Sequence, residues 1–464
     1  MGNDRDVGLL RELWRELGGT PDAVDAVTLD GPEQVLPSVF QVTALASASI
    51  ALATLAAADL AATRRGSALP RVRVQRAHAA FAFRRELYAK PIGWELPPLW
   101  DPIAGDYAAR DGWIRLHTNY AHHRAAVLRV LGVAAERDAI AAAVARSEID
   151  ELEQAVVDAG GCAAAMRDVA AWRAHPQALA IHDAPVVTLA PRDASIAPLP
   201  SAALPLSGVR VLDLTRVIAG PVCTGFLASW GATVLRLDPP GFAEVPALLP
   251  ETTAGKHRAW LDLDDRDQRA VFAELVRDAH VLVVGYRGDA LARRGFDDAR
   301  LRAHNPGLVI AALDAYGWSG PWAERRGFDS LVQMSSGIAA RGQQVHASAR
   351  PFPLPAQALD HATGFLLAAG VCRALALRHD GQTASIRASL ARTAQLLIEL
   401  GESSDPFAPQ PSAADVEPFL EDAATAWGPL RRMRTPGEIA GVQPVGGPAP
   451  GPLGCDPARW PDVA

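Results

Sequence analysis

An aspartate followed by a long apolar stretch is the strongest candidate for chemistry in this sequence. Asp360 lies in the run QALDHATG (residues 357–364), and an apolar stretch follows at 365–377. A carboxylate at the start of a helix faces backbone N–H groups and the positive end of the helix dipole, which keep it ionised. An ionised carboxylate can attack an activated acyl group as a nucleophile. The same pattern is typical of a structural helix cap, so both interpretations stand at this point.

Histidines are weaker candidates. His361 directly follows Asp360 and could orient it or act as an acid, although a histidine in the first turn of a helix is more often solvated. His117, His122 and His123 lie close together in the sequence. Adjacent helical residues point in different directions, which argues against a metal site. We predict no metal ion and no prosthetic group.

Composition places the chain among ordinary globular proteins. Its 464 residues are 49% hydrophobic and 21% charged, enough for two or more domains. A formal net charge of -7 argues against nucleic acid as the main partner. The four cysteines are far apart and form no Cys-x-x-Cys pair, which favours a reduced cytoplasmic location without a disulfide framework.

One segment has the length of a membrane span. Residues 42–62 are apolar, but they are rich in Ala, Ser and Thr, and Asp59 interrupts them. We predict a closely packed helix inside a soluble protein rather than a span. The first six residues carry charges and lead to no apolar core, so no secretory signal is expected.

The elements that must position Asp360 follow a stretch of linker composition at 191–205. A strand, a helix and a second strand are predicted at 209–214, 221–230 and 231–238, and further strands at 259–263, 280–284 and 308–313. Strand, helix and strand within about 30 residues form a βαβ unit, which favours a parallel sheet with ligands at the carboxyl ends of its strands. The first strand lacks a following Gly-x-Gly-x-x-Gly, so a dinucleotide is not indicated.

Two segments of the chain resemble each other weakly. Residues 36–44 and their Ala-rich helix parallel residues 354–364 and their own helix, so that Phe40 corresponds to Asp360 and Thr43 to Thr363. After each helix comes a polar turn with glycine and then a strand-like run. A real repeat implies one active carboxylate per chain, whereas chance likeness between two Ala-rich helices is the alternative.

Several blocks in the second part resemble, in order, the family III coenzyme A transferases. This group includes carnitine-CoA transferases, formyl-CoA transferases and α-methylacyl-CoA racemases. The blocks lie at 208–221, 230–240, 255–263, 286–291, 316–321, 327–329, 333–337 and 360–364. Residues 113–119 and 173–177 resemble the family's small domain, which normally follows the catalytic block, so the chain resembles a rearranged two-part form of the family.

The resemblance implies specific roles for a few residues. Asp360 matches the family's catalytic nucleophile, which forms an acyl-aspartyl anhydride. Arg216, Arg236 and Arg287 match positions that contact coenzyme A, and a planar guanidinium suits phosphate. Surface or ion-paired arginines are the alternative reading of these three positions. Backbone N–H groups near Gly337 or Gly364 are candidate donors to an oxyanion.

One substitution separates branches of the family. In the racemase branch a histidine precedes the aspartate that matches Asp329, and the two catalytic groups exchange protons. Here that position is Phe328, and a phenyl ring cannot move a proton, which argues against racemisation. Asp329 itself is predicted to order its loop as a cap.

The sequence therefore predicts an α/β protein with a doubly wound parallel-sheet (Rossmann-like) CoA-transferase domain and a smaller α+β domain. The predicted parts are residues 1–190, a linker at 191–205, the CoA-transferase half at 206–400 and a closing segment at 401–464. The expected activity is transfer of CoA from an acyl-CoA thioester to a carboxylic acid acceptor, in a cytoplasmic homodimer without nucleic-acid or membrane partners. An acyl-CoA isomerase or racemase and a non-catalytic CoA-binding subunit are the alternatives.

Overall fold

The computed structural model describes residues 5–286 and 288–461. The strands are β1 Val27–Asp30, β2 Val72–Gln75, β3 Lys90–Pro91, β4 Gly105–Ala108, β5 Trp113–Leu116, β6 Ala163–Ala165, β7 Val187–Asp193, β8 Arg210–Leu214, β9 Thr233–Asp238, β10 Lys256–Trp260, β11 Val281–Val284, β12 Val309–Asp314, β13 Gln382–Ser389, β14 Leu420–Thr425, β15 Gly428–Met433 and β16 Glu438–Ile439.

The helices are α1 Arg5–Glu16, α2 Val42–Arg65, α3 Arg76–Ala82, α4 Arg85–Tyr88, α5 Ala121–Leu131, α6 Arg137–Val144, α7 Ile149–Asp158, α8 Val169–Ala174, α9 Pro176–Ile181, α10 Ala219–Ser229, α11 Leu249–Thr252, α12 Arg266–Asp278, α13 Asp298–His304, α14 Asp329–Ser335, α15 Ile338–Val345, α16 Ala358–Ala376, α17 Leu390–Glu399 and α18 Ala413–Val416.

A seven-stranded sheet carries the second part of the chain. Its order is β10-β9-β8-β11-β12-β13-β7, and all pairs except the last are parallel. After the edge strand β7, the chain forms β8, β9 and β10 toward one edge of the sheet and then returns to the other side of β8 at β11. This reversal is the topological switch point of a doubly wound sheet, and it confirms the predicted α/β fold.

Alternate residues of the inner strands pack on opposite faces of this sheet. Val211 and Val281 belong to the core that contains α10 and α16, whereas Leu212 and Leu282 pack against Phe272 of α12. Because both faces are covered, these strands are apolar on both sides. That double burial explains why their continuous apolar runs predict the sheet correctly.

The edge strand β7 crosses the domain boundary predicted after residue 190. Residues 191–193, expected to begin the linker, pair antiparallel with residues 382–384 of β13. Pro191 fits there because an edge strand leaves one side of its backbone unpaired, so a missing N–H is tolerated. The first part of the chain thus closes the sheet of the second part.

Two apolar helices, α2 and α16, pack against each other in the main core. Helix α2 is long and apolar enough to cross a membrane, yet 94% of its most apolar 18-residue window is buried inside the protein. The two helices begin the segments α2–β2–α3 and α16–β13–α17, and the strand in each segment pairs in parallel with a neighbour. This shared order supports the weak internal repeat.

A smaller α+β unit lies in the first part of the chain, as predicted. Its sheet has the order β4-β5-β6, and residues from α5, α6 and α7 complete a separate core around Ile114 and Val127. The C-terminal hairpin of β14 and β15 pairs with β3, and β16 pairs with β2. The last segment of the chain therefore returns to the first part.

Candidate active site

Asp360 lies in the first turn of α16, and a second aspartate holds its backbone. The N–H groups of Leu359 and Asp360 donate to Oδ2 of Asp329, at 2.8 and 3.0 Å. Asp329 is the first residue of α14 and is fully buried. Two N–H groups at the start of α16 therefore bind Asp329 instead of the Asp360 side chain. Asp329 is thus a cap, but it caps α16 and not the loop in which the sequence places it.

The surroundings of the Asp360 carboxyl favour its neutral form. The residue is 7% exposed, and none of the donors in residues 5–286 and 288–461 forms a hydrogen bond with its carboxyl group. Burial raises the pKa of Asp360 well above its ordinary value, and the carboxyl groups of Asp329 and Glu86 raise it further. The prediction that helix N–H groups keep Asp360 ionised is therefore wrong, because Asp329 accepts those hydrogen bonds.

The neighbouring aspartate keeps its charge more readily. Burial raises the pKa of Asp329 to about 6, but hydrogen bonds from the backbone of Asp360 and Leu359 and from Gln333 oppose this shift. Hydrogen bonds to a carboxylate favour its ionised form. Within the pair, Asp329 therefore ionises more readily than Asp360, because its carboxylate accepts these hydrogen bonds.

A glutamate and a histidine from different parts of the chain lie beside Asp360. Nε2 of His361 is 3.1 Å from Oε2 of Glu86, which belongs to α4, and both side chains are buried. The His361 ring stacks on Phe83, with 5.4 Å between ring centroids. The expectation of a solvated His361 is wrong, since the first part of the chain covers the start of α16.

The two glycines considered as oxyanion donors serve close packing of the backbone. Gly364 lies within α16, and a Cβ there would be 2.4 Å from the carbonyl oxygen of Ala219. Gly337 has φ +88°, and a Cβ there would be 2.4 Å from the backbone nitrogen of Val169. Each position needs glycine because another backbone approaches it.

A cavity of about 330 Å³ opens where the parallel strands end, and we call it the cationic cavity. Its lining includes Arg216 after β8, Tyr286 after β11 and Asp314 at the end of β12. Arg325 and Arg326 line it from the loop before α14. The cavity thus occupies the switch point between β8 and β11, where doubly wound sheets bind their ligands.

Arg216 is positioned to contact an anion in the cationic cavity. Its guanidinium carbon is 3.6 Å from the centroid of the Phe242 ring, and its Nε is 3.5 Å from Oδ1 of Asp238. These contacts hold the guanidinium group in place, and the side chain stays partly exposed. The structure brings Arg216 and Asp360 to the same cavity.

Arg236 has a different role from the predicted phosphate contact. Its side chain is completely buried, with Nε 2.8 Å from Asp238 and Nη2 2.9 Å from Glu244. A buried guanidinium between two carboxylates cannot reach a bound phosphate, so that prediction is wrong. Arg287, the third predicted contact, lies outside the described residues.

A second cavity, of about 300 Å³, lies on the other side of Asp360, and we call it the apolar cavity. Val217, Phe328 and Asp360 line both cavities. Phe328 stacks on His117, with the ring planes nearly parallel and the centroids 3.8 Å apart. Asp360 is thus at the boundary between a cavity with several arginines and one with mainly apolar walls.

The turn at this boundary has a strained backbone. Val217 has φ +65°, a region that β-branched residues rarely adopt. Its N–H donates to Oε2 of Glu244, which is also bound by Arg236. The buried pair of Arg236 and Glu244 therefore holds Val217 at the junction of the cavities. Strain of this kind is concentrated at functional sites.

Sequence reasoning missed several residues of this site. Glu86 is far from Asp360 in the sequence and has no distinguishing motif. Arg325 and Arg326 had a usable signal, because they directly precede the block at 327–329 that carries the resemblance. Within the described part of the chain, no three His, Cys, Asp or Glu side chains group as metal ligands would.

Comparison with known proteins identifies the region that contains this site. Residues 206–401 match the family described as CoA-transferase family III. A probable fatty acyl-CoA transferase of Mycobacterium tuberculosis is 30% identical over 202 residues, which are 41% of this chain and 51% of that protein. Acetyl-CoA:oxalate CoA-transferase of Acetobacter aceti is 34% identical over 145 residues, 29% of this chain and 37% of that enzyme.

The succinate–glutarate CoA-transferase of Agrobacterium fabrum is 34% identical over 158 residues, 30% of this chain and 40% of that enzyme. The chain thus spans about half or less of the length of these relatives. A crystal structure of Rv3272 from M. tuberculosis aligns with a TM-score of 0.48 and 23% identity, over 54% of this chain and 97% of that one. The resemblance predicted from the sequence is confirmed for residues 206–401, which match CoA-transferase family III.

Proposed function

We propose that the protein is an acyl-CoA:carboxylate CoA-transferase with Asp360 as its covalent nucleophile. The observation that supports this most strongly is the place of Asp360 between two cavities of different character. A thioester must present a large anionic carrier on one side of its carbonyl group and an acyl group on the other. Several relatives of the chain are named as CoA-transferases, which also supports this proposal.

The cationic cavity is the proposed site of coenzyme A. Its arginines, Arg216, Arg325 and Arg326, suit phosphate oxygens because a guanidinium group donates hydrogen bonds in pairs. Arg325 forms an ion pair with Glu153 and stacks on Trp322, so Arg216 is the arginine that we assign first to phosphate binding. The thioester then lies at the boundary where Asp360 and Val217 meet.

The proposed reaction has four steps without an oxidant or reductant. The Asp360 carboxylate attacks the donor thioester, the C–S bond breaks, and CoA thiolate leaves an acyl-aspartyl anhydride. The thiolate attacks the aspartyl carbonyl, the donor acid leaves, and Asp360 carries CoA as a thioester. The acceptor carboxylate displaces this thiolate to form a second anhydride. The thiolate then attacks the acceptor carbonyl, which releases the new acyl-CoA and the Asp360 carboxylate.

The neutral form of Asp360 must lose its proton before it attacks. Since burial raises its pKa well above the ordinary value, the attacking carboxylate is less populated at a given pH than that of an ordinary aspartate. A bound cationic or hydrogen-bonding group would favour ionisation. Turnover is therefore expected to rise with pH as Asp360 ionises.

The racemase alternative lacks a suitable base. Phe328 stands where that branch has histidine, and the nearest ring stacked on it is His117. Burial, with a smaller effect from Arg115, lowers the pKa of His117 to about 3. Such an imidazole is a weak base, so we expect no exchange of the substrate α-hydrogen in D₂O. Rapid exchange without CoA transfer would favour the racemase instead.

Mass spectrometry tests the proposed nucleophile. The protein is incubated with a panel of acyl-CoA thioesters and then with hydroxylamine, which converts an acyl-aspartyl or CoA-aspartyl adduct into a hydroxamate. We expect a mass shift that maps to Asp360 and is absent in Asp360→Asn. The matched control is Asp183→Asn, because the Asp183 side chain is fully exposed. Absence of any adduct while CoA still binds would support a non-catalytic CoA-binding subunit.

We also propose a cytoplasmic location and a homodimer. Cys223 and Cys372 are buried and free, and Cys455 is exposed and free, which suits a reducing compartment. Light scattering during size exclusion tests the assembly. A homodimer predicts twice the chain mass of 49.0 kDa. The mass of a single chain would mean that the two repeated units of one chain form the assembly without a second chain.

A further inference from the structure

The apolar cavity has walls from four separate segments of the chain. Leu99 and Trp100 come from the segment before β4, Ile218 from the turn after β8, Met334 from α14, and Leu354 from the segment before α16. Ile218, Met334 and Leu354 are buried. Such a pocket, mainly apolar with a few polar groups, is the usual form of a small-molecule site.

The charged groups in this lining offer a second carboxylate of a ligand only a cation that already pairs with an acid. Arg115 is the only lysine or arginine among the described lining residues, and its Nη1 is 2.7 Å from Oδ1 of Asp106. The guanidinium group also lies 5.1 Å from the Trp100 ring. Glu86 and Asp360 add acidic groups to the same cavity. A carboxylate placed here would be desolvated among other acids.

We propose that the apolar cavity holds the acyl group of the substrate, and that this group is apolar and uncharged. This inference rests on the proposed function, since it places the thioester carbonyl at Asp360 and coenzyme A in the cationic cavity. Burial of apolar area favours a hydrocarbon chain, whereas an unpaired carboxylate would lose its hydration without compensation. An acyl group with a distal carboxylate is therefore rejected.

A matched pair of thioesters tests the inference. Hexanoyl-CoA and adipoyl-CoA have the same chain length, and only adipoyl-CoA has a terminal carboxylate. Binding of each to Asp360→Asn is measured by calorimetry, so that discrimination is seen without chemistry. We expect hexanoyl-CoA to bind about 100-fold more tightly than adipoyl-CoA. Equal binding, or tighter binding of adipoyl-CoA, would overturn the inference.

The same comparison distinguishes this inference from the proposed function. If hexanoyl-CoA is preferred in binding but the wild-type protein forms no adduct at Asp360, the proposed function fails and the cavity assignment stands. If adducts form equally from both thioesters, the transferase stands and the assignment fails. Each result therefore contradicts a different statement.

A charge introduced into the wall provides a second test. Leu99 is only partly buried, so Leu99→Arg adds a cation with little expected damage to the fold. The preference for hexanoyl-CoA should then fall by about 10-fold or more, because the guanidinium group can pair with the terminal carboxylate. Leu179→Arg is the matched control, at a side chain that is 63% exposed and outside the cavity. An unchanged preference in Leu99→Arg would contradict the inference.

Discussion

The starts of α2 and α16 are two versions of one local structure, and they differ in that Asp360 of α16 corresponds to Phe40 before α2. Asp360 lies in the first turn of α16 and borders two cavities. Phe40, its counterpart in the repeat, lies two residues before α2, is buried, and forms a backbone bridge with Glu402. The same helix-strand-helix unit therefore supports a reactive group in one place and core packing in the other.

The difference lies in what surrounds each helix start. The second unit continues a seven-stranded sheet whose switch point provides a cavity, whereas the strand of the first unit lies in a sheet of three, β1-β2-β16. The first unit is followed directly by α4, whose Glu86 contacts His361 beside Asp360. One copy thus provides the proposed nucleophile and the segment after the other provides part of its cover, so the two copies contribute unequally to one site.

The largest effect should come from removing the reactive group. Asp360→Asn keeps the shape of the side chain but cannot form an anhydride, so CoA transfer should fall by about a thousandfold or more. Steady-state kinetics with the best donor measure this loss. A variant that keeps more than a tenth of the activity would show that another residue is the nucleophile.

The counterpart position should matter for stability and not for chemistry. Phe40→Ala removes a buried ring, and the free energy of unfolding should fall by about 3–5 kcal/mol. Phe40→Asp should also destabilise the protein and should form no hydroxamate at position 40. Chemical denaturation measures the first effect and peptide mass spectrometry the second. An adduct at position 40 would mean that the two helix starts are equivalent.

The cap of α16 should have an intermediate effect. Asp329→Ala leaves the N–H groups of Leu359 and Asp360 unpaired, and the unfolding free energy should fall by about 1–3 kcal/mol. The pH profile of activity should also move to lower pH, because a neighbouring carboxylate that opposes ionisation of Asp360 is lost. A purely structural cap would change stability and leave the pH profile where it is.

A smaller effect is expected at the cationic cavity. Arg216→Gln should weaken CoA binding by about 10-fold, since one charged hydrogen-bond donor to phosphate is lost. Arg300→Gln is the matched control, because Arg300 lies on α13 outside this cavity. Calorimetry with CoA alone measures both. Equal affinities in the two variants would remove Arg216 from the proposed site.

The smallest effect concerns how the free energy of unfolding changes with pH. The folded pKa of Asp360 is raised, so between the ordinary carboxyl pKa and this higher value the folded state binds more protons than the unfolded state. The contribution of Asp360 to stability is thus complete at low pH and is lost as pH rises through the folded pKa. Asp360→Asn should therefore gain stability relative to wild type as pH increases. Parallel unfolding curves across pH would contradict the raised pKa.

Much of the fold could be predicted because its signals are local. The strands of the seven-stranded sheet are short apolar runs, and β8–α10–β9 follow one another within a single βαβ unit. The candidate nucleophile was also local, since a carboxylate before an apolar helix is visible in eight residues. The position before an apolar helix and the ordered blocks that resemble the family both indicate Asp360.

What the sequence missed depends on distant neighbours. The raised pKa of Asp360 comes first from its burial in the folded protein and then from Asp329, thirty-one positions earlier, which also binds the helix N–H groups. Arg236 looked like a phosphate contact, but its alternating strand position directs it to two buried acids, Asp238 and Glu244. Pairing partners of this kind become visible only when the chain is folded.

Transfer of ¹⁸O from a labelled carboxylic acid acceptor to the protein tests the central claim most directly. In the proposed reaction the acceptor attacks the aspartyl-CoA thioester, and one acceptor oxygen remains on Asp360 after the thiolate attacks the acceptor carbonyl. After turnover with labelled acceptor, we expect the heavy isotope in the peptide that contains Asp360 and none in the Phe40 peptide. Turnover without label at Asp360 would show that this carboxyl group never forms an anhydride, and would contradict the account.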